Sequence, residues 1–327
     1  GRGQGGTPGR VVRDSGETVL KDAGALSEAE WLARLDKVGQ REGFFRHLGA
    51  DHAALFVARQ PTLIVTFETS DTIRHREVDQ MPFGLGVSEM RDWSHLCVIA
   101  RKDSWYRDQA VYDLFDKLVD DSFFERFEQV VFFGSGMAGY AAAAFSVTAP
   151  GATVVLLQPQ ATLDPAIAGW DPRFAEHRRL NFTDRYGYAP DMTEGAGQVY
   201  VIYDPDQTLD AMHAALFRRP FTTLLPVRHA GSDLYASLIA MHILHPILSS
   251  AATGSFDAHL FWTFFRARRK NIPYLRRLLS KLEADGRPGL AMRVARNAAS
   301  RLGDAKFSRR ADELAAMAHQ TPKAPRG

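Results

Sequence analysis

Residues 130–145 read VVFFGSGMAGYAAAAF, an apolar run that passes through three glycines into a stretch of small residues. Two kinds of chemistry fit such a turn. In one, Gly134, Gly136 and Gly139 form a G-x-G-x-x-G whose glycines let a pyrophosphate approach backbone N–H groups at a helix start. In the other, the turn is a nucleophile elbow, a sharp strand-to-helix bend that holds a reacting side chain clear of the sheet. The elbow position is then Gly136, which has no side chain to react. Glycine relieves elbow strain at no steric cost, so it stabilises the turn while removing the nucleophile. Ser135 is the nearest hydroxyl, but it precedes the elbow residue, and successive side chains at a strand end point to different sides. Its bland role is a turn hydroxyl bonded to nearby backbone. Small residues packing a helix onto a sheet account for the same glycines with no ligand.

The dinucleotide reading meets two objections. The motif stands behind about 130 residues and three strand-like runs, whereas the fingerprint normally fills the first strand–helix turn of its sheet. The following run, TVVLLQP, places Gln158 where a ribose-binding Asp or Glu is expected.

The elements that must position this turn are legible as apolar runs at 53–58, 62–67, 95–100, 129–133, 153–157, 198–203 and 222–227. Their apolarity is continuous rather than alternating, which predicts strands covered on both faces. Helical patterns lie between them, as in AVYDLFDKLVDD, so the fold class is α/β with a mainly parallel sheet. The first two runs are separated only by Arg59-Gln60-Pro61, which predicts an antiparallel hairpin at the start of the sheet. Ser27 and Glu30 form a capping box ahead of a helix with Trp31, Leu35 and Val38 on one face. After about residue 234 the pattern is helical, and residues 266–310 carry fourteen Lys and Arg against three Asp and Glu. The resulting division is a flexible leader at 1–25, an α/β domain at 26–250, a basic helical appendage at 251–312 and a flexible tail at 313–327. The single cysteine, Cys97, lies in an apolar run, which excludes a disulfide framework and fits a reducing, cytoplasmic setting. The eleven histidines show no metal-ligand spacing, and no apolar run approaches the length of a membrane span.

Residues 53–235 resemble the α/β-hydrolase superfamily, with the closest likeness to bacterial members whose elbow reads G-S-S-M-G-G-Y. That resemblance places Gly134 at the first glycine, Gly136 at the nucleophile, Ala138 at the next glycine and Gly139-Tyr140 at the start of the helix. It further implies an acid at Asp204 or Asp206, in VIYDPDQTLD, and a base at His229, in PVRHAGSD, following in the order Ser, Asp, His. The Met137 N–H would supply the backbone part of an oxyanion hole. The chain also resembles uncharacterised alphaproteobacterial proteins often labelled phosphoadenosine phosphosulfate reductase, in stretches such as WSHLCVIARKDSWYRD and DRYGYAPDM. The residues do not support that activity, since there is neither a PP-loop nor a cysteine in the C-terminal tail.

The expectation is a degenerate site that binds a small molecule or anion through Gly134, Gly136, Met137 and Tyr186, without a cofactor or metal and with little or no ester hydrolysis. Three alternatives stay open: an esterase or acyl hydrolase using Ser135, the same chemistry through a water activated by His229 and Asp206, and a nucleotide-dependent oxidoreductase. DRYGYAPDM lies where a lid would stand, although packed aromatic rings explain it equally. The basic stretch 266–310 offers a surface for a polyanion, and a solvated helical face is its commoner meaning.

Overall fold

The computed structural model describes residues 26–320, so the leader expected at 1–25 lies outside the described residues. Eight strands form one sheet: β1 (Gly43–Leu48), β2 (His52–Val57), β3 (Gln60–Thr69), β4 (Trp93–Ala100), β5 (Gln129–Ser135), β6 (Thr153–Leu157), β7 (Gln198–Tyr203) and β8 (Thr222–Pro226). Their order is β1-β2-β4-β3-β5-β6-β7-β8. All pairings from β4 onward are parallel, and β2 alone runs against its neighbours β1 and β4. This is the mainly parallel, helix-covered sheet of the α/β-hydrolase type. Every residue of β2 and β4 is buried, as their unbroken apolar runs require.

The hairpin expected between the first two apolar runs does not form. β2 and β3 are separated in the sheet by β4, and the antiparallel hairpin is instead β1–β2. A three-residue gap fits a hairpin loop, yet Gln60 and Pro61 already belong to β3, which gains two parallel partners by crossing over.

Five helices carry the argument: α1 (Glu28–Glu42), α2 (Ser70–Arg76), α3 (Phe83–Glu89), α4 (Gln109–Asp120) and α5 (Met137–Phe145). The capping box at Ser27 and Glu30 is present, and Trp31 and Leu35 are buried. One face of the sheet packs on α4 and α5 through Phe67, Phe115, Phe132 and Phe145. The other face packs on α3 and the C-terminal helices, where Val131, Phe133 and Val155 share a cluster with Leu275, Leu279 and Ala295. The boundary at 250/251 falls inside the helix Leu244–Ala252, and the helix Ala305–Gln320 carries structure past 313, with Leu314 buried. Among the described residues no single helix is long and apolar enough to cross a membrane.

Burial holds His52, His95, His213 and His245 below the ordinary 6.5, His95 at about 3. His213 shows the means: its Nδ1 accepts the Ala161 N–H at 3.1 Å, so its Nε2–H donates to Asp171 at 2.9 Å. Neutral buried histidines stabilise the chain fully above about pH 6.5 and progressively less as pH falls, because the unfolded chain binds protons that the folded one excludes. Burial raises Glu68 and Glu77, the latter to about 7, and these act in the opposite sense. With four groups against two, the melting temperature is expected to fall between about pH 7.5 and about pH 5, read by circular dichroism. A rise on acidification would contradict this balance.

Candidate ligand site at the glycine elbow

β5 delivers Gly134 and Ser135 to the C-terminal edge of the sheet, where Gly136 turns the chain at φ 59° and ψ −120°. The Gly136 N–H donates to the Leu157 carbonyl at 2.9 Å, and the Gly136 carbonyl accepts the Tyr140 N–H at 3.0 Å to open α5. The three glycines have different reasons. A Cβ at Gly134 would stand 2.1 Å from the Ala138 carbonyl oxygen, and one at Gly139 would stand 3.1 Å from Pro159 Cβ. Both permit the close approach of α5 to the sheet. A Cβ at Gly136 would meet nothing within 4 Å, so glycine is favoured there by the backbone conformation alone. A strained strand-to-helix residue facing open space is the geometry of a nucleophile elbow.

Met137 is the first residue of α5, so its N–H belongs to the helix start and has no intrahelical acceptor. Ser70, the first residue of α2, comes to the same edge, because β3 pairs with β5 in the register Thr66↔Phe133. Sequence reasoning missed Ser70; its signal was the Thr69 N-cap two residues past the end of an apolar run. Ser135 is half-buried and shares its face of β5 with Val131 and Phe133, which pack toward α3 and the C-terminal helices.

The two aspartates after β7 divide their work. Asp204 is buried and accepts the Asp206 N–H at 2.9 Å and the Gly231 N–H at 2.8 Å, so it ties the loop after β7 to the loop after β8. Asp206 meets the histidine: its Oδ2 lies 2.9 Å from His229 Nδ1, while its Oδ1 accepts from Arg228 at 3.0 Å. His229 sits at φ 64°, an uncommon conformation for a residue with a side chain, and its carbonyl accepts Arg277 Nε at 2.8 Å. A C-terminal helix, Ile272–Ala284, thus fixes the histidine loop, with Tyr274 beside the ring at 6.4 Å. The histidine is engaged by Asp206 and not by Ser135.

Between β5 and β8 lie β6 and β7, and Gln158 spans that interval. Its backbone N–H donates to Ile202 at 2.8 Å, its Nε2 donates to the Ser232 carbonyl at 2.8 Å, and its Oε1 accepts the Leu234 N–H at 2.8 Å. The position where a dinucleotide fold holds a ribose acid is therefore occupied by an amide that braces the histidine loop. A second brace joins the segment after α2 to the segment after β8. Arg76 pairs with Asp233 at 2.6 Å, and the Tyr235 hydroxyl donates to Glu77. Burial pushes Glu77 up to about 7, partly offset by that hydroxyl.

Tyr186 does not join this set. Its hydroxyl donates to Asp116 at 2.7 Å, its ring packs on Phe145 at 4.6 Å at the far end of α5, and Arg185 also pairs with Asp116. The stretch DRYGYAPDM is thus a packed loop at that point. Glu68, His95 and Cys97 come within metal-binding distance of one another across β3 and β4, a juxtaposition that spacing along the chain does not reveal. Their polar atoms are largely taken. Glu68 accepts from Thr66 at 2.5 Å, from the Phe83 N–H at 2.7 Å and from the Cys97 thiol at 3.4 Å, which fastens α3 to the sheet.

No protein-family model and no curated protein sequence matches the chain. In structure it is similar to a glycosylation-associated protein (Gap123) complex from Streptococcus agalactiae, at 15% identity and TM-score 0.45 over 63% of this chain and 46% of that one. It is also similar to EstE1, a thermostable carboxylesterase cloned from a metagenomic library, at 14% identity and TM-score 0.43 over 71% of this chain and 99% of that one. A third likeness is to the capsule O-acetyltransferase of Neisseria meningitidis serogroup A, at 12% identity and TM-score 0.41 over 62% and 94% of the two chains. This chain spans less than half the length of the first of these.

Proposed function

We propose that the sheet edge around Gly136 binds a small ligand bearing a carbonyl or anionic group and does not cleave it by serine chemistry. The conformation of Gly136 carries this reading: φ 59° and ψ −120° with open space where a side chain would stand. The elbow keeps its backbone and lacks its hydroxyl. The N–H of Met137 and the positive end of α5 supply the attraction for a negatively charged oxygen. Ser135 is a poor substitute nucleophile because it leaves the strand on the opposite face from the elbow residue.

The contact between Asp206 and His229 favours a second use of the same edge, in which His229 takes a proton from a water or a ligand hydroxyl. Nucleotide chemistry has less support, since all the polar groups of the Gln158 amide are engaged and Cys97 is buried in β4.

Calorimetric titration with phenylphosphonate tests the binding reading. Met137→Pro removes the N–H in question at the first helical position, where proline is tolerated, and Met137→Ala, which keeps the N–H, controls for the lost packing of the half-buried side chain. Loss of one charge-assisted hydrogen bond is expected to weaken phenylphosphonate binding by the proline variant about tenfold or more relative to the alanine variant. NAD, NADP and phosphoadenosine phosphosulfate are expected to give no heat. Absent phenylphosphonate binding, equal binding by the proline variant, or micromolar nucleotide binding would each overturn the reading.

A further inference from the structure

The loop that follows β4 holds a second arrangement of hydroxyl, imidazole and carboxylate, distinct from the elbow. Ser104 Oγ lies 2.6 Å from His52 Nε2, and His52 Nδ1 lies 3.8 Å from Asp108 Oδ2. Three elements converge to make it. His52 is the first residue of β2 and pairs with Ala100 at the end of β4, Ser104 lies four residues beyond that end, and Asp108 caps α4. The Asp108 Oδ1 accepts the Ala110 N–H at 2.8 Å, which leaves Oδ2 turned to the histidine.

The proton positions follow from the partners. The Tyr106 N–H donates to Ser104 Oγ at 3.1 Å, and the neighbouring carboxylate favours the tautomer with hydrogen on Nδ1. His52 Nε2 is then an acceptor, and the serine hydroxyl donates to it. Burial lowers His52 below its ordinary value, so the ring is neutral and able to take that proton. Among the described residues His52 Nδ1 has no hydrogen-bond partner although the residue is only 1% exposed, and the Asp108 carboxylate is the acceptor facing it at 3.8 Å.

The backbone beside the serine is strained. Trp105 and Tyr106 stand consecutively at φ 48° and φ 56°, an outlying conformation for bulky side chains, held by the Tyr106 hydroxyl on the Glu68 carbonyl at 2.7 Å and by Trp105 Nε1 on Gln160 at 3.3 Å. Ser104, His52 and Asp108 line one wall of a cavity of about 390 Å³. The rest of the lining includes Lys102, Glu176, His177 and Arg179, and among the described residues Leu180 is its only apolar side chain.

We propose that Ser104, His52 and Asp108 form a serine-type esterase site for short-chain acyl esters of small polar alcohols. Ser104 Oγ bonds to the acyl carbon as its proton passes to His52 Nε2. The ester C–O bond then breaks, and the alcohol leaves with that proton. A water next adds to the acyl carbon, giving a proton to His52, and Ser104 recovers it as the acid departs. Asp108 is a positioning residue that holds the ring in the accepting tautomer. The charged lining admits a short acyl group on a hydroxylated or charged carrier and disfavours a lipid chain.

The test is phosphonylation of the full chain by a fluorophosphonate, in which the Oγ–P bond forms, the P–F bond breaks, fluoride leaves and His52 takes the hydroxyl proton. Peptide mapping of the parent protein is expected to find the label on Ser104, and Ser104→Ala is expected to abolish it. His52→Ala should slow labelling by about 100-fold or more, with recovery on addition of imidazole. Asp108→Asn keeps a capping side chain and should keep the parent melt while slowing labelling by about tenfold, and Asp108→Glu should recover part of the rate. No label, a label only on Ser135 or another serine, or labelling indifferent to His52 would overturn the proposal and leave a structural hydrogen bond between the start of β2 and the loop after β4.

Discussion

Gly136→Ser is expected to raise ester hydrolysis at the elbow by about 100-fold or more while lowering the melting temperature by a few degrees. The two effects have one cause. The added Cβ meets no atom within 4 Å, so the substitution is sterically open, but φ 59° with ψ −120° is a conformation that side chains rarely adopt. Holding serine there costs about 1–3 kcal/mol. The gain arises because the new hydroxyl stands at the start of α5 beside the Met137 N–H, on the sheet edge that carries the Asp206–His229 pair. Hydrolysis of 4-nitrophenyl acetate is best followed with Ser104→Ala in the same chain, so that the other serine adds nothing. Adding His229→Gln should return the rate to background. A variant that melts lower and stays inactive would show that the histidine does not reach the elbow.

Gly134→Ala is expected to be the most damaging single methyl in the turn. Its Cβ would lie 2.1 Å from the Ala138 carbonyl oxygen and 2.7 Å from the Gly139 nitrogen, both backbone atoms of the first turn of α5. Neither can move without shifting a helix whose residues from Ala138 to Phe145 are all buried. Overpacking of this kind costs about 3 kcal/mol or more, so the protein should melt far below the parent or fail to accumulate in soluble form. Gly136→Ala, where only the backbone conformation resists, should cost less. Thermal melts of the two variants side by side decide it, and equal melts would contradict the assignment of packing to one glycine and conformation to the other.

The parts of this architecture that depend on local pattern were legible in the residues. Seven of the eight strands announce themselves as apolar runs, β2 to β7 because both their faces are largely covered, and β8 although it is an edge strand with only Leu225 buried. β1 does not, since GFFRHL lies at the sheet edge with Arg46 and His47 exposed, and nothing in its pattern separates it from a loop. Pairing was less legible than existence. The short gap at Arg59-Gln60-Pro61 resembles a hairpin, and only the arrival of β4 between β2 and β3 shows that it is a crossover. At the site, the order of glycine turn, aspartate and histidine along the chain was readable. Which aspartate meets the histidine was not, because Asp204 and Asp206 are two residues apart, and only the folded loops turn one to the Gly231 N–H and the other to the His229 ring. The Gln158 brace and the Ser104–His52 pair were invisible for a plainer reason. Their partners lie 74 and 52 residues away and meet only once the sheet is assembled.

The central claim is that the elbow of the natural chain performs no serine chemistry, and Ser135→Ala tests it most directly. The rate of 4-nitrophenyl acetate hydrolysis by the parent and by Ser135→Ala, each with Ser104→Ala in the same chain, is expected to be equal and close to background. A parent rate well above background that Ser135→Ala abolishes would make Ser135 the nucleophile and contradict the account.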